Sequence, residues 1–325
     1  MSVRLGFIGA GGIAGLHFTN FQQIPAAQVV AVFDVDLDAS ERAATRFPGC
    51  RVYPSASALI GDAPIDALYV CVPPYAHEDF ESRASERGVA LFVEKPIGLE
   101  LGAARRAASV VESSGILNAA GYHWRYSPLV ERARESLAGQ TIAMAEGVWL
   151  GGLPGSRWWR TLRLSGGQVV EQTTHMVDLL RYFLGEVEEV YASGSSGLYP
   201  EVEGYDITDA SSATLRFQSG AVGTILSSDL VPGYDVYAKL FARDRTVEIR
   251  SSSLKIVEAS HVEEFAWRPQ PSMHFVEDVA FIRAVETGDR SLIRSTVPDG
   301  LRTLEVSLAI NRSIGSHDLV RLPLE

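Results

Sequence analysis

Two cysteines in 325 residues, Cys50 and Cys71, are too few for a disulfide framework. Cys71 lies inside an apolar run and reads as a small buried hydrophobe rather than a nucleophile. This scarcity excludes the small disulfide-stapled class and points to a reducing compartment, the cytoplasm. No apolar run approaches the roughly 20 residues that span a bilayer. No basic segment with an apolar core precedes the first structural stretch, because Val3–Ile8 already reads as a strand. Positive charge is also short, with 29 Lys and Arg against 40 Asp and Glu, a net charge of −11. Nucleic acid and anionic membranes would repel such a chain, so neither is an expected partner. Internal repeats, a linker and low-complexity segments are absent too.

What is present is a sequence rich enough to bury cores, 46% hydrophobic and 21% charged. Its length suits two domains. The first stretch carries the strongest pattern. A short apolar strand runs into Gly9-Ala10-Gly11-Gly12-Ile13-Ala14, a helical pattern follows, and a second apolar strand, Val29–Phe33, ends in Asp34. Strand, Gly-x-Gly-x-x-Ala, helix, strand and acid form the dinucleotide-binding arrangement. Gly9 permits the tight turn and Gly11 lets backbone approach a pyrophosphate. Ala14 lets the helix lie close to the strand, and Gly12 and Ile13 open the helix whose N–H groups face the phosphates. Asp34 is placed to accept ribose hydroxyls. A flexible turn is the bland reading of Gly-Ala-Gly-Gly, but it does not account for two strands, a helix and a spaced acid. Asp34 repels a 2′-phosphate, and neither Val35 nor Asp36 supplies a compensating cation, so NAD is expected rather than NADP.

Further on, Asp38–Ala44 reads as a helix stopped by Pro48-Gly49. Arg51–Tyr53 reads as a short strand and Ser57–Ile60 as a helix. Ala67–Val72 and Val89–Val93 are continuous apolar runs, the mark of parallel strands buried on both faces. Pro73-Pro74 breaks the first, and His77-Glu78 is expected to open the next helix. A helix over Leu101–Ser113 and a strand over Ile116–Ala120 complete an alternating β/α pattern. The fold class is α/β, with an N-terminal Rossmann doubly wound parallel sheet over residues 1–121.

From residue 122 the pattern changes. Tyr122–Pro128 is aromatic and irregular, Leu129–Leu137 helical, and Thr141–Leu150 a strand. A Gly/Pro/Trp-rich loop over 151–167 precedes one strong helix, Gln168–Leu184. Residues 187–259 read as strands separated by turns at Gln218-Ser219-Gly220, Pro232-Gly233 and Arg243-Asp244-Arg245, and they look antiparallel. Helices near His274–Thr287 and Asp299–Ser313 and a strand at Leu319–Leu322 end the chain. Residues 122–325 are thus an expected α+β domain with an open, mainly antiparallel sheet. Its uncovered face needs a cover, and a partner subunit is the economical one.

Ligands of an open α/β sheet lie at the carboxyl ends of its strands. Val72, Pro73 and His77 follow one such end, and Glu94-Lys95-Pro96 another. An ammonium at Lys95 could hold a substrate hydroxyl and stabilise charge on its oxygen; alternatively Lys95 is only an exposed strand-end lysine. Glu171-x-x-x-His175-x-x-Asp178 places three side chains on one helix face. A carboxylate beside an imidazole suits a general acid/base, although a satisfied core histidine has the same spacing. No second histidine or Cys cluster sits at ligand spacing, so no metal is expected. His17, His123 and His274 read as structural or rim residues. Trp158, Trp159, Arg125, Arg157, Arg160 and Arg163 suit a loop lining a pocket, or one simply solvated.

Taken together these patterns resemble the Gfo/Idh/MocA oxidoreductases. The matching pieces are Gly6–Ala14, Glu94-Lys95-Pro96, Arg125-Tyr126-x-Pro128, Ser165-Gly166-Gly167 with His175 and Asp178, and the late Asp299-Gly300-Leu301. The resemblance implies hydride transfer between NAD and a sugar, polyol or related hydroxy compound. It assigns Lys95 as the motif lysine and His175 as the acid/base. It implies a cofactor set of Gly9, Gly11, Gly12, Ile13, Asp34, Val72, Pro73, His77, Glu94 and Lys95, and substrate contacts from Lys95, Arg125, Trp158, Arg160, Glu171 and His175. A homodimer or homotetramer through the C-terminal sheet is implied as well. Three positions depart from the family pattern: Glu171 where Asp is usual, Thr173 where Gly is frequent, and Pro74 where Asn is frequent. The first two reshape the pocket floor and leave the substrate open. Two other readings of such a chain are an NAD-dependent glycosidase with no net redox change and an NAD-sensing regulatory protein.

Overall fold

The computed structural model describes residues 2–268 and 271–325. Contacts divide the chain into two units, Met1–Tyr126 with Pro271–Leu301, and Ser127–Gln270 with Arg302–Glu325. Sequence patterning placed the division after residue 121 and did not return any later segment to the first unit.

In order along the chain, the first unit contains β1 (Val3–Ile8), α1 (Gly12–Phe21), β2 (Ala27–Phe33), α2 (Leu37–Ala44), β3 (Arg51–Val52), α3 (Ala56–Asp62), β4 (Ala67–Val70), α4 (Phe80–Arg87), β5 (Ala90–Val93), α5 (Leu101–Ser114) and β6 (Asn118–Ala120). The six strands form one parallel sheet in the order β3-β2-β1-β4-β5-β6, the doubly wound arrangement. β4 is buried at all four residues, as its unbroken apolar run requires. Helix starts follow local chemistry. Asp36 caps α2 by accepting the Asp38 and Ala39 N–H groups, and Glu100 caps α5 in the same way. The helix expected from His77 begins instead at Phe80. Pro73 and Pro74 first wind a short 3-10 turn, Pro74–Ala76, because proline presets its φ but offers no N–H to continue.

The helix over Met273–Thr287 belongs to this unit. Its Phe281 and Ile282 are buried in the same cluster as Phe7, Phe18, Tyr69 and Phe92. Tyr69 and Phe92 stack at 4.5 Å, and Phe281 meets the edge of each at 5.4 Å. An apolar helical stripe announces a buried face but not which core receives it, which is why the pattern alone left this helix elsewhere.

The second unit contains α6 (Pro128–Ser136), β7 (Ile142–Leu150), α7 (Leu162–Ser165), α8 (Thr174–Leu184), β8 (Val187–Ser195), β9 (Ala210–Phe217), β10 (Val222–Ser228), β11 (Asp235–Ala242), β12 (Arg245–Arg250), β13 (Ser253–Glu258) and β14 (His261–Ala266). With α9 being the Met273–Thr287 helix, the chain ends in α10 (Val297–Ser316) and β15 (Val320–Arg321). The nine strands run β14-β13-β12-β11-β7-β10-β9-β8-β15. All neighbours are antiparallel except β7 and β10, which pair in parallel, so the sheet is mainly antiparallel as expected. α8 packs against β7, β10 and β11. The alternate positions Met144, Tyr191 and Val222 are about half exposed.

The expected helix over Gln168–Leu184 is not uniform. Val169–Thr173 is a π-helical turn, and α-helical geometry begins at Thr174. Gly166 and Gly167 lead into it at φ +74° and +76°, values that favour glycine. The wider turn sets Glu171 and His175 at a rotation different from that of a regular α-helix.

Candidate active site

The cofactor residues of the first unit gather at the carboxyl ends of β1, β2, β4 and β5. Gly9 has φ +96°, and a Cβ there would stand 2.2 Å from the Cys71 carbonyl oxygen. Only glycine lets β1 turn this close to the segment after β4. Gly11 precedes α1 without any side-chain cap, and Cβ atoms at Gly11 or Gly12 would meet nothing within 4 Å. The first turn of α1, with Ile13 half-buried in it, therefore presents its N–H groups to open space, as a pyrophosphate requires. Asp34 accepts the Ala10 N–H at 2.7 Å and the Asp36 N–H at 2.9 Å, which ties the acid to the glycine loop. Beside it Val35 is 95% exposed. After β4, Val72 and Pro73 are half-buried, and His77 pairs through Nδ1 with Glu81 at 2.8 Å. Its Nε2 is buried with no hydrogen-bond partner among the described residues. An uncapped helix start, an acid beside it and an orphaned imidazole nitrogen fit a dinucleotide.

Lys95 is half-buried at the end of β5, and the Lys95–Pro96 bond is cis. Three of the 29 basic Lys and Arg residues are lysines, Lys95, Lys239 and Lys255. In a chain that mostly uses arginine, position 95 carries a lysine, a compact, strongly hydrated donor on a flexible stem. The Glu94 carboxylate accepts the Lys95 backbone N–H at 3.1 Å and faces His17 Nε2 at 3.1 Å. His17 Nδ1 lies 2.8 Å from Asp278. Burial on its own would push the His17 pKa down, but Asp278 and Glu94 outweigh it and hold it at about 10. Burial likewise pushes Glu94 up, and the His17 hydrogen bond and charge bring it below its ordinary value. His274, stacked on His123 at 3.8 Å, is taken down to about 4 by burial, which outweighs the opposing charges of Glu94 and Asp278. Cys71 is 5% exposed and its thiol is pushed up by burial, the opposite of an activated nucleophile. Arg125 is buried in this unit, with Nη1 2.5 Å from Asp299 and 2.7 Å from the Arg294 carbonyl oxygen.

In the second unit Glu171 is buried in the π-turn and His175 in the first turn of α8. The His175 ring stacks on Trp149 of β7 at 5.5 Å. Asp178 lies further along α8, where it accepts from Thr303 Oγ1 at 3.0 Å. That hydroxyl in turn accepts from Arg181 at 2.6 Å. Thr173, in place of the family's frequent glycine, bonds Ser227 of β10 at 2.7 Å and so fastens the π-turn to the sheet. Trp158 stacks on Trp159 in a 3-10 turn, and Arg160 donates to the Pro154 carbonyl at 2.6 Å. Residues 204–206 buttress this loop. Asp206 N–H donates to the Arg160 carbonyl, and Thr161 Oγ1 donates to the Gly204 carbonyl.

Sequence reasoning passed over one acidic pair entirely. Asp209 and Asp229 flank the β9–β10 ladder one rung beyond Ala210 and Ser228, and both are fully buried. Asp209 accepts the Leu198 N–H, whereas neither Asp229 side-chain oxygen has a hydrogen-bond partner among the described residues. Burial, then the Asp209 charge, raises the Asp229 pKa to about 7. Twenty residues separate the two acids, so only strand register brings them together. Among the described residues no group of three or more His, Cys, Asp or Glu is arranged to hold a metal ion, and no helix is long and apolar enough to cross a membrane.

Comparison with known proteins agrees with this geometry. Residues 3–122 match the oxidoreductase family, NAD-binding Rossmann fold model of Gfo/Idh/MocA, and residues 135–252 match the C-terminal domain model of the same family. The chain is 26% identical to a myo-inositol 2-dehydrogenase of Thermotoga maritima, over 98% of each protein. It is 25% identical to an NAD+ scyllo-inositol 2-dehydrogenase of Bacillus subtilis, over 99% of this chain and 97% of the relative. A levoglucosan dehydrogenase solved with NADH superposes with a TM-score of 0.88 over 100% of both chains at 18% identity, a likeness of fold. With both domain models matched in order and an NAD-binding glycine turn in place, this chain belongs to the Gfo/Idh/MocA oxidoreductases.

Proposed function

We propose that the protein transfers a hydride between NAD and a secondary hydroxyl of a sugar, polyol or related compound. The observation that carries this reading is Lys95, a half-buried ammonium whose backbone is pinned by a buried carboxylate at the ligand-binding edge of the Rossmann sheet. Full-length relatives named as inositol dehydrogenases support the substrate class.

Gly9, Gly11, Gly12 and Ile13 would hold the pyrophosphate, and Asp34 the adenosine ribose. Val72, Pro73, His77, Glu94 and Lys95 would line the nicotinamide half. When bound, NAD supplies the hydride acceptor. In the oxidative direction His175 takes the hydroxyl proton at an imidazole nitrogen, and the buried Glu171 carboxylate sets the ring's orientation and supports its positive charge. Lys95 is assigned the stabilisation of negative charge that develops on the substrate oxygen. Trp158 and Arg160 in the second unit, and Arg125 in the first, are the residues assigned to the remaining hydroxyls. Thr173 in place of glycine ties the π-turn to Ser227 of the sheet, so the preferred stereoisomer is expected to differ from that of glycine-bearing relatives.

The test is NADH formation from NAD over a panel of inositols, other polyols, free sugars and sugar acids, with His175→Ala alongside. Turnover that falls at least about 100-fold in the variant supports the reading. Retained NAD binding with no turnover on any compound defeats it and favours the NAD-dependent glycosidase or sensing reading. We also place the protein in the cytoplasm, as a homodimer or homotetramer through the open face of the nine-stranded sheet. The free cysteines and the exposed Met144, Tyr191 and Val222 support this, and light scattering on a size-exclusion column checks it. A monomer at micromolar concentration would refute the oligomer.

A further inference from the structure

Glu94 has one carboxylate and two tasks. One oxygen accepts the Lys95 backbone N–H, and the other faces His17 Nε2. The opposite ring nitrogen of His17 lies 2.8 Å and 3.0 Å from the two Asp278 oxygens. Ionised carboxylates only accept, so both contacts are satisfied when each ring nitrogen carries a proton. Asp278 is itself held by Asn20 Nδ2 at 2.7 Å and the Tyr69 hydroxyl at 3.2 Å. His17 and Asp278 are fully buried and Glu94 is 4% exposed. The backbone confirms how tightly the carboxylate is seated, because a Cβ at Gly121 would stand 2.7 Å from Glu94 Oε1 and 3.0 Å from Oε2. Gly121 has no positive φ, so its role here is to leave room for that carboxylate.

We propose that His17 is a positioning residue for the hydride-transfer reaction: backed by Asp278, it locks the Glu94 carboxylate so that Lys95 leaves β5 in the single orientation that presents its ammonium to the reacting oxygen. The inference rests on the role given to Lys95 above. Helix α1 thereby does two things, offering its N-terminus to the cofactor and, from its interior, setting the lysine at the end of β5.

The experiment uses full-length protein, wild type, His17→Gln and Gly121→Ala. His17→Gln removes the two-sided donor, and Gly121→Ala forces the carboxylate off its seat without touching His17 or Asp278. If His17→Gln does not fold, Gly121→Ala and the doubly neutral His17→Gln/Asp278→Asn variant carry the test. The first readout is acylation of the three lysines by an N-hydroxysuccinimide ester at pH 8, followed by peptide mass spectrometry. Lys239 and Lys255 are internal controls, ion-paired with Glu248 and Glu264 in the second unit. The second readout is the NADH Kd, and the third is kcat and KM on a substrate from the panel.

The expected result is a change of at least about fivefold in Lys95 acylation and a fall of about 10–100-fold in kcat, as for other groups that orient a reacting side chain. NADH Kd and the control lysines should stay close to wild type in both variants, while Tm falls in His17→Gln, which loses the buried cation, and stays closer to wild type in Gly121→Ala, which keeps it. A folded variant with unchanged Lys95 acylation and unchanged kcat overturns the proposal. So does a loss of kcat that only follows a fall in Tm and in NADH binding, since that is what a purely structural histidine would produce. If the wild type turns over no compound while Lys95 acylation still responds in both variants, the link from His17 to Lys95 stands and the dehydrogenase reading falls.

Discussion

Each unit buries two carboxylates against one another's field, and the two pairs behave in opposite ways. In the first, Glu94 and Asp278 sit on either side of His17, whose pKa rises to about 10 while Glu94 drops below its ordinary value. In the second, Asp209 and Asp229 adjoin across β9 and β10 with no cation paired to Asp229 among the described residues, and Asp229 rises to about 7. Both pairs are excluded from water, so burial alone does not decide the charge. The partner decides it. The cation that α1 inserts holds Glu94 below its ordinary value, whereas Asp229, buried beside another acid, is pushed up.

The largest effect is expected where that cation is removed. His17→Phe leaves Glu94 and Asp278 buried without their counter-charge and should cost about 3–5 kcal/mol, read as a fall in the chemical denaturation midpoint. An unchanged midpoint would mean that the carboxylates are not ionised in the native protein.

Neutralising the other pair should do the reverse. Asp229→Asn should stabilise by about 1–3 kcal/mol at pH 8 and by little at pH 4, where the carboxyl is already protonated in the native state. The sign follows from linkage. Asp229 has a folded pKa raised from 3.8 to about 7, so its contribution is full below pH 3.8 and is lost as pH rises through 7. His17, raised from 6.5 to about 10, loses its contribution in a later window, between those values. Wild-type stability should therefore decline in two steps with rising pH, and Asp229→Asn should erase only the lower one. Erasure of both steps, or of neither, would show that the two pairs are not independent.

The smallest effect should come from an exposed ion pair. Arg4 and Asp66 lie 2.6 Å apart with side chains 46% and 37% exposed. Arg4→Met should move Tm by less than about 2 °C, because water and salt screen such pairs. A larger shift would place the contrast between pairs in geometry rather than in burial.

Much of the local geometry around the candidate site was legible in the sequence. The Gly9 turn, the acid at 34 and the Lys95 strand end were readable because each depends on local order: strand, turn, helix, strand. His175 was readable as a residue type on a helix. Its surroundings were not, because the π-turn before it breaks the 3.6-residue spacing and the Trp149 stack comes from a strand 26 residues away in sequence. The role of His17 was hidden for the same reason. Its partners lie at 94 and 278, and nothing near residue 17 announces two carboxylates.

The sequence by itself determined the Rossmann half, its strand ends and the cofactor, since apolar periodicity, glycine and a spaced acid act within some thirty residues of chain. Only the tertiary structure decided which core receives α9, that β7 and β10 run parallel, and how each buried acid is charged. Those outcomes depend on groups distant in sequence meeting where water is excluded, and there the nearest partner, not the local pattern, sets the free energy of a charge.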